Sequence, residues 1–145
     1  MFDGFLLQTI SLTIVAVLAF LFNALLQKRL LREQNKNKLI DMLLELLQEQ
    51  SMVYGEYWDP NTLPRTLKVA DTIVPMTRFN TLLTIAADQY KLPNYSQIFD
   101  QFMEFYQIAT SGNFNLPSHN KSAKKVLEIY SAYNKLTRML WENKT

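Results

Sequence analysis

The chain has 145 residues, no cysteine, one histidine and a formal charge of +2, with 48% of its residues hydrophobic. The missing cysteines exclude disulfides and thiolate metal sites, and a single histidine excludes multi-histidine metal cages. With 3 glycines, 5 prolines and no visible repeat or low-complexity tract, the chain is expected to pack rather than form a disordered tail.

Residues 1–4 form a short N-terminus with Asp3 where a secretory signal would carry lysine, so a cleaved signal is not expected. From Phe5 to Leu26 there is no charged side chain, and apolar residues occupy every helical face. At 1.5 Å of rise per residue this stretch spans roughly 33 Å, against about 30 Å of hydrocarbon in a bilayer. It reads as a transmembrane helix. A buried helix of a soluble domain would need cover on all sides, more than the remaining chain supplies while also covering its own apolar stripes. Within the span Thr9, Thr13, Ala16 and Asn23 fall on one face at the spacing of a helix seam, with Phe20, Ala24 and Gln27 nearby, which marks a candidate helix-association face. The competing reading is that the hydroxyls bond carbonyls of their own helix and that Asn23 meets headgroups.

Residues 27–38 are basic: Lys28, Arg29, Arg32, Lys36 and Lys38 stand against Glu33 alone. Setting these and Asp3 aside from the totals of 15 basic and 13 acidic residues leaves ten and eleven after Leu39, so the basic excess is local to the end of the span. Positive residues flanking a span stay on the cytoplasmic side, so the N-terminus is expected outside and residues 39–145 inside. The same bases are candidate contacts for anionic lipid headgroups. The folded part lacks the basic excess that nucleic-acid binding requires, so no nucleic-acid partner is expected.

Residues 39–145 read as one small all-α domain. From Leu39 to Gln50, leucines, Ile40 and Met42 cover a wide apolar arc, while Asp41, Glu45 and Glu49 line the other side at i, i+4 spacing. Residues 51–64 carry Gly55 and Asp59-Pro60-Asn61 and are expected to be a loop, whose aromatics Tyr54, Tyr57 and Trp58 either contact a partner or fold back on the core. A helix is expected from near Pro64, with Thr62 close to its cap and Pro75 interrupting it. Met76, Phe79, Leu82, Leu83, Ala86, Ala87 and Tyr90 then hold one face until Pro93. The next helix has Asn94 at its cap, Gln97 three residues on, Gly112 as its stop, and an aromatic stripe that includes Phe99, Phe102, Phe105 and Tyr106. The last helix is predicted from Ser118 to Glu142, burying Ala123, Val126, Ile129, Tyr130, Tyr133, Leu136, Leu140 and Trp141. Its first turns hold His119, Lys121, Lys124 and Lys125, read as a solvated cluster in which Lys124 pairs with Glu128. Asn94, Asn120 and Asn143 open glycosylation sequons that a cytoplasmic domain would leave unused.

No nucleophile–base pair, metal-binding spacing or glycine-rich phosphate loop is present, so no cofactor and no enzymatic activity is expected. Catalysis by carboxylates gathered from afar, such as Asp71, Asp88 and Asp100, would leave no trace in sequence. The expectation is a single-pass, membrane-anchored helical binding or adaptor module that contacts the bilayer and either a protein partner or itself. The alternative is a membrane-active effector, a toxin or exclusion factor, that oligomerises through its transmembrane helix.

Overall fold

A computed structural model describes residues 2–112, 114–115 and 121–145, with side chains from Gln8 onward. Ser118, His119 and Asn120 lie outside the described residues. The protein is all-helical: α1 (Phe2–Trp58), a short 3-10 helix (Val69–Asp71), α2 (Ile73–Tyr90), α3 (Tyr95–Thr110) and α4 (Ala123–Trp141), with no strand among the described residues. It divides into two compact units, Met1–Asn35 and Lys36–Thr145.

In the first unit α1 begins at Phe2 and continues without a break through the basic segment. From Ile10 to Leu31 its large apolar side chains are between 44% and 72% exposed. By length and composition this helix is long and apolar enough to cross a membrane, and none of its most apolar window is buried within the chain.

The second unit is built on one apolar core. The part of α1 after Lys36 buries Ile40, Leu43, Leu46 and Leu47, and leaves Asp41, Glu45 and Glu49 exposed on the opposite side. α4 runs antiparallel to it: Ser122 N donates to Trp58 O at one end (2.9 Å), while Asn37 and Thr145 exchange hydrogen bonds of 2.6 and 3.1 Å at the other. α2 and α3 form an antiparallel hairpin in which Phe79 stacks on Phe102, with centroids 4.1 Å apart. α3 and α4 are also antiparallel, since Asn94 at the start of α3 donates to Met139 O near the end of α4.

Three expectations for the central chain are corrected here. The loop expected over 51–64 is helical as far as Trp58, and the turn begins only at Asp59, whose carboxylate accepts from Asn61 N at 2.9 Å. Gly55 is not a turn residue: it is buried inside α1, where a Cβ would come within 2.8 Å of the Tyr130 hydroxyl. No α-helix starts at Pro64; the chain stays non-helical up to Lys68, and Leu67 is held by a two-way amide clamp from Asn115 (3.0 and 2.9 Å). Pro75 does not interrupt a helix. It is the third residue of α2, where a backbone N–H would have had no intrahelical acceptor.

Helix ends follow local chemistry. α2 stops at Lys91, which takes the left-handed conformation (φ 51°) and donates to Ala87 O, two residues before Pro93. Asn94 occupies the cap position of α3, but its side chain is directed to α4 instead of capping its own helix. Ser122 caps α4 through Lys125 N, so that helix starts later than Ser118. The buried face of α4 is Ile129, Ala132, Leu136 and Leu140. Of the other residues predicted to be buried there, Val126 and Tyr133 pack at the core's edge, Ala123 and Tyr130 are exposed, and Trp141 is 54% exposed under the Lys144 ammonium.

Candidate functional site

The aromatics placed in a partner loop are core residues. Tyr54, Tyr57 and Trp58 are 0%, 1% and 4% exposed, so none is available to a partner. Helical geometry sends them inward: Tyr54 meets Phe105 and Tyr106 edge-on at 6.2 and 6.0 Å, and Trp58 Nε1 donates to Ala109 O at 2.7 Å. The Tyr57 hydroxyl accepts from Asn115 N at 2.6 Å, which ties the end of α1 to the segment after α3. Burial, with the neighbouring Tyr106 hydroxyl second, holds the Tyr54 phenol protonated well above its usual range.

The association face is exposed at Thr9, Thr13, Ala16 and Asn23. Thr13 Oγ1 donates to Thr9 O at 2.9 Å, and Ser11 on another face makes the equivalent bond to Gln8 O at 3.2 Å. The Thr13 hydroxyl is thus satisfied by its own helix, leaving small size at Ala16 and the amide of Asn23 as the features that distinguish this face. Among the bases, Lys28, Arg29, Arg32 and Lys38 are exposed and Lys36 is half-buried at the start of the second unit.

The lysines at the start of α4 are engaged with protein groups. Lys121 donates to Thr62 Oγ1 and to Leu63 O, Lys125 bonds Ser111 Oγ and lies 5.0 Å above the Trp58 ring, and Lys124 pairs with Glu128 at 3.8 Å. They pin α4 and the chain after α1 in place. Two sequon asparagines are likewise committed. Asn143 Nδ2 donates to Asn94 Oδ1 (2.8 Å) and to Met139 O (2.9 Å), while Asn94 Nδ2 donates to the same carbonyl at 3.3 Å. A glycan on either nitrogen would displace this clamp.

A surface that the sequence did not single out lies along the seam of α3 and α4, where two shallow depressions that share Gln101, Glu104 and Lys135 carry Asp100 at one and Glu128 at the other. Their floors include Ile108, Ala132, Met139 and the side chain of Gln101, which is only 6% exposed. Glu104 and Glu128 sit on different helices, so only the antiparallel packing brings them together. Among the described residues no group of three or more His, Asp or Glu side chains is placed to hold a metal.

No family model matches this chain, and neither a curated protein nor a solved structure matches it.

Proposed function

We propose that the protein is a single-pass, membrane-anchored binding module: α1 crosses the bilayer with its N-terminus outside, and residues 36–145 form a helical bundle on the cytoplasmic side. The observation that carries this reading is the stretch Ile10–Leu26, which has no charged residue and whose large apolar side chains are exposed all along it. In water such a surface would be far larger than the few hundred Å² of contiguous apolar patch that a soluble monomer tolerates, whereas lipid covers it without cost. The bases following the span support the orientation. So do Asn94 and Asn143, whose amides are used inside the domain and are unsuited to carrying glycans.

Binding is proposed because the second unit offers a formed surface groove along α3 and α4. The rival reading, an effector that assembles a pore through the face of Thr9, Thr13, Ala16 and Asn23, has less support: Thr13 already bonds Thr9 O, so the face contributes fit more than hydrogen bonding.

The test is extraction and topology. The full chain should resist alkaline extraction from membranes, and a reporter fused after Thr145 should be active in the cytoplasm and silent outside. Replacing Lys28, Arg29 and Arg32 by neutral residues should weaken that preference. Release into the alkaline supernatant would reject the anchor; a reporter active outside would reverse the orientation.

A further inference from the structure

From Thr72 to Ala87 the chain carries one charged side chain, Arg78, and α2 is apolar on two sides. Its inner face, Phe79, Leu83 and Ala86, is buried in the core of the second unit. Its outer face is uncovered: Ile73 and Val74 are 53% and 56% exposed, Ile85 is 36% exposed, and Thr77, Thr81 and Thr84 are exposed with them. Val74, Thr77, Thr81 and Ile85 recur at the spacing of a helix seam, and a shallow depression bounded by Ile73, Val74, Thr81 and Leu82 lies along it. Thr81 Oγ1 donates to Thr77 O and Thr84 Oγ1 to Asn80 O, both at 2.9 Å, so these hydroxyls are satisfied within α2 and leave their methyl groups for apolar contact. A helix with apolar residues on two opposite sides calls for cover on both.

The charges along the outer face select what covers it. Arg78 stands near its start and Asp88 at its end, both exposed, and no ion pair among the described residues includes either. Were the same face of a second copy packed on it in parallel, arginine would meet arginine and aspartate aspartate. Antiparallel packing about a two-fold axis at Thr81 brings unlike charges together instead. Thr77 then lies opposite Ile85 of the second copy, and Arg78 comes within about one helical turn of the second copy's Asp88, a gap that its long side chain spans. The pair forms twice, once on each side of the axis. Area agrees with charge: the exposed side chains cover on the order of 500 Å² per copy, so two copies bury about 1,000 Å² together, the lower bound for a specific interface.

We infer that the outer face of α2 is the contact between two copies of this chain, packed antiparallel about Thr81. The contact is isologous, each copy giving the same residues, and its size makes a dimer of modest strength. It lies wholly within the second unit and stands whether or not α1 is a membrane anchor.

Because the chain has no cysteine, an introduced cysteine reports proximity without background. A residue at a two-fold axis meets its own copy, so full-length Thr81→Cys, oxidised in mild detergent, should give about tenfold more disulfide-linked dimer than Ser131→Cys, which is exposed on α4. In the Thr81→Cys background, Arg78→Glu and Asp88→Arg should each lower the yield about fivefold, and mixing the two variants should restore it, because each then offers the other an opposite charge. Thermal melts equal to that of the parent protein show that a lost crosslink is not a lost fold. Equal yields from Thr81→Cys and Ser131→Cys overturn the contact, as does a yield indifferent to the charge variants. In liposomes, a fluorophore on the Thr81→Cys thiol should be indifferent to a nitroxide carried on lipid; quenching by it would assign the face to the bilayer and overturn the dimer.

Discussion

Residues 8–31 and 36–58 belong to one continuous helix, yet the first set exposes its large apolar side chains while the second buries Ile40, Leu43, Leu47 and Tyr54 completely. The backbone is the same in both, so the difference lies in composition around the helix. After Lys36 apolar residues recur at helical spacing with Asp41, Glu45 and Glu49 opposite, which calls for protein on one side and water on the other. From Phe5 to Leu26 no charged residue occurs and apolar residues stand on every face, and a helix of that kind suits surroundings that are apolar all round. Helicity carries no information about solvent; the angular distribution of side chains does.

The comparison can be broken most severely in the second unit. Phe102→Ala removes a ring that stacks on Phe79 and is 1% exposed, and should destabilise residues 36–145 by about 3–5 kcal/mol in chemical denaturation. Extraction from membranes should not change. If it does, the two regions do not have independent sources of stability.

The complementary perturbation is Leu18→Arg in the exposed apolar stretch. A charge at the centre of a span costs about 2.5–3.5 kcal/mol on insertion scales, so the membrane-inserted fraction should fall while the helical signal and melting of residues 36–145 stay unchanged. A loss of domain stability with no loss of insertion would invert the assignment of the two regions.

The smallest expected effect sharpens the comparison at the buried end of α1. Burial raises the Tyr54 phenol, so its folded pKa exceeds the unfolded value of about 10. Below that value both states are protonated and the group leaves stability unaffected; as pH rises above it, the unfolded state alone sheds the proton and stability declines. Tyr54→Phe should reduce the decline in alkali. An identical alkaline decline in the variant would show that another group causes it.

Much of this fold is legible in the sequence, and the failures have identifiable causes. The stripes on α2 and α3 and the acidic strip on α1 follow from periodicity, because one-sided burial imposes it. The end of α1 was misread because Gly55 and Asp59-Pro60-Asn61 look like one turn region. Gly55 is there because Tyr130 lies against it, a tertiary contact without a local signature. Pro75 reads as a breaker in sequence because its effect depends on its distance from the helix start, and α2 begins only at Ile73, two residues before it. On α4 periodicity finds Ile129, Leu136 and Leu140 on the buried face, but it does not separate them from Tyr130 and Trp141, which the packing leaves exposed. The acidic groove could not be foreseen for a different reason: Glu104 and Glu128 meet only through the antiparallel register of α3 and α4.

The pairing of α1 with α4 joins residues as far apart in the chain as Asn37 and Thr145, a separation of 108. During synthesis α1 is complete long before its partner exists. At about 5–20 residues per second, the remaining chain takes on the order of ten seconds to appear, and throughout that interval Ile40, Leu43 and Leu47 have nothing to cover them. The α2–α3 hairpin can form locally, but closing the domain waits for the final helix. The nascent protein therefore carries an open apolar stripe right beside its apolar N-terminal stretch, and early insertion of that stretch would spare it from meeting the stripe in water.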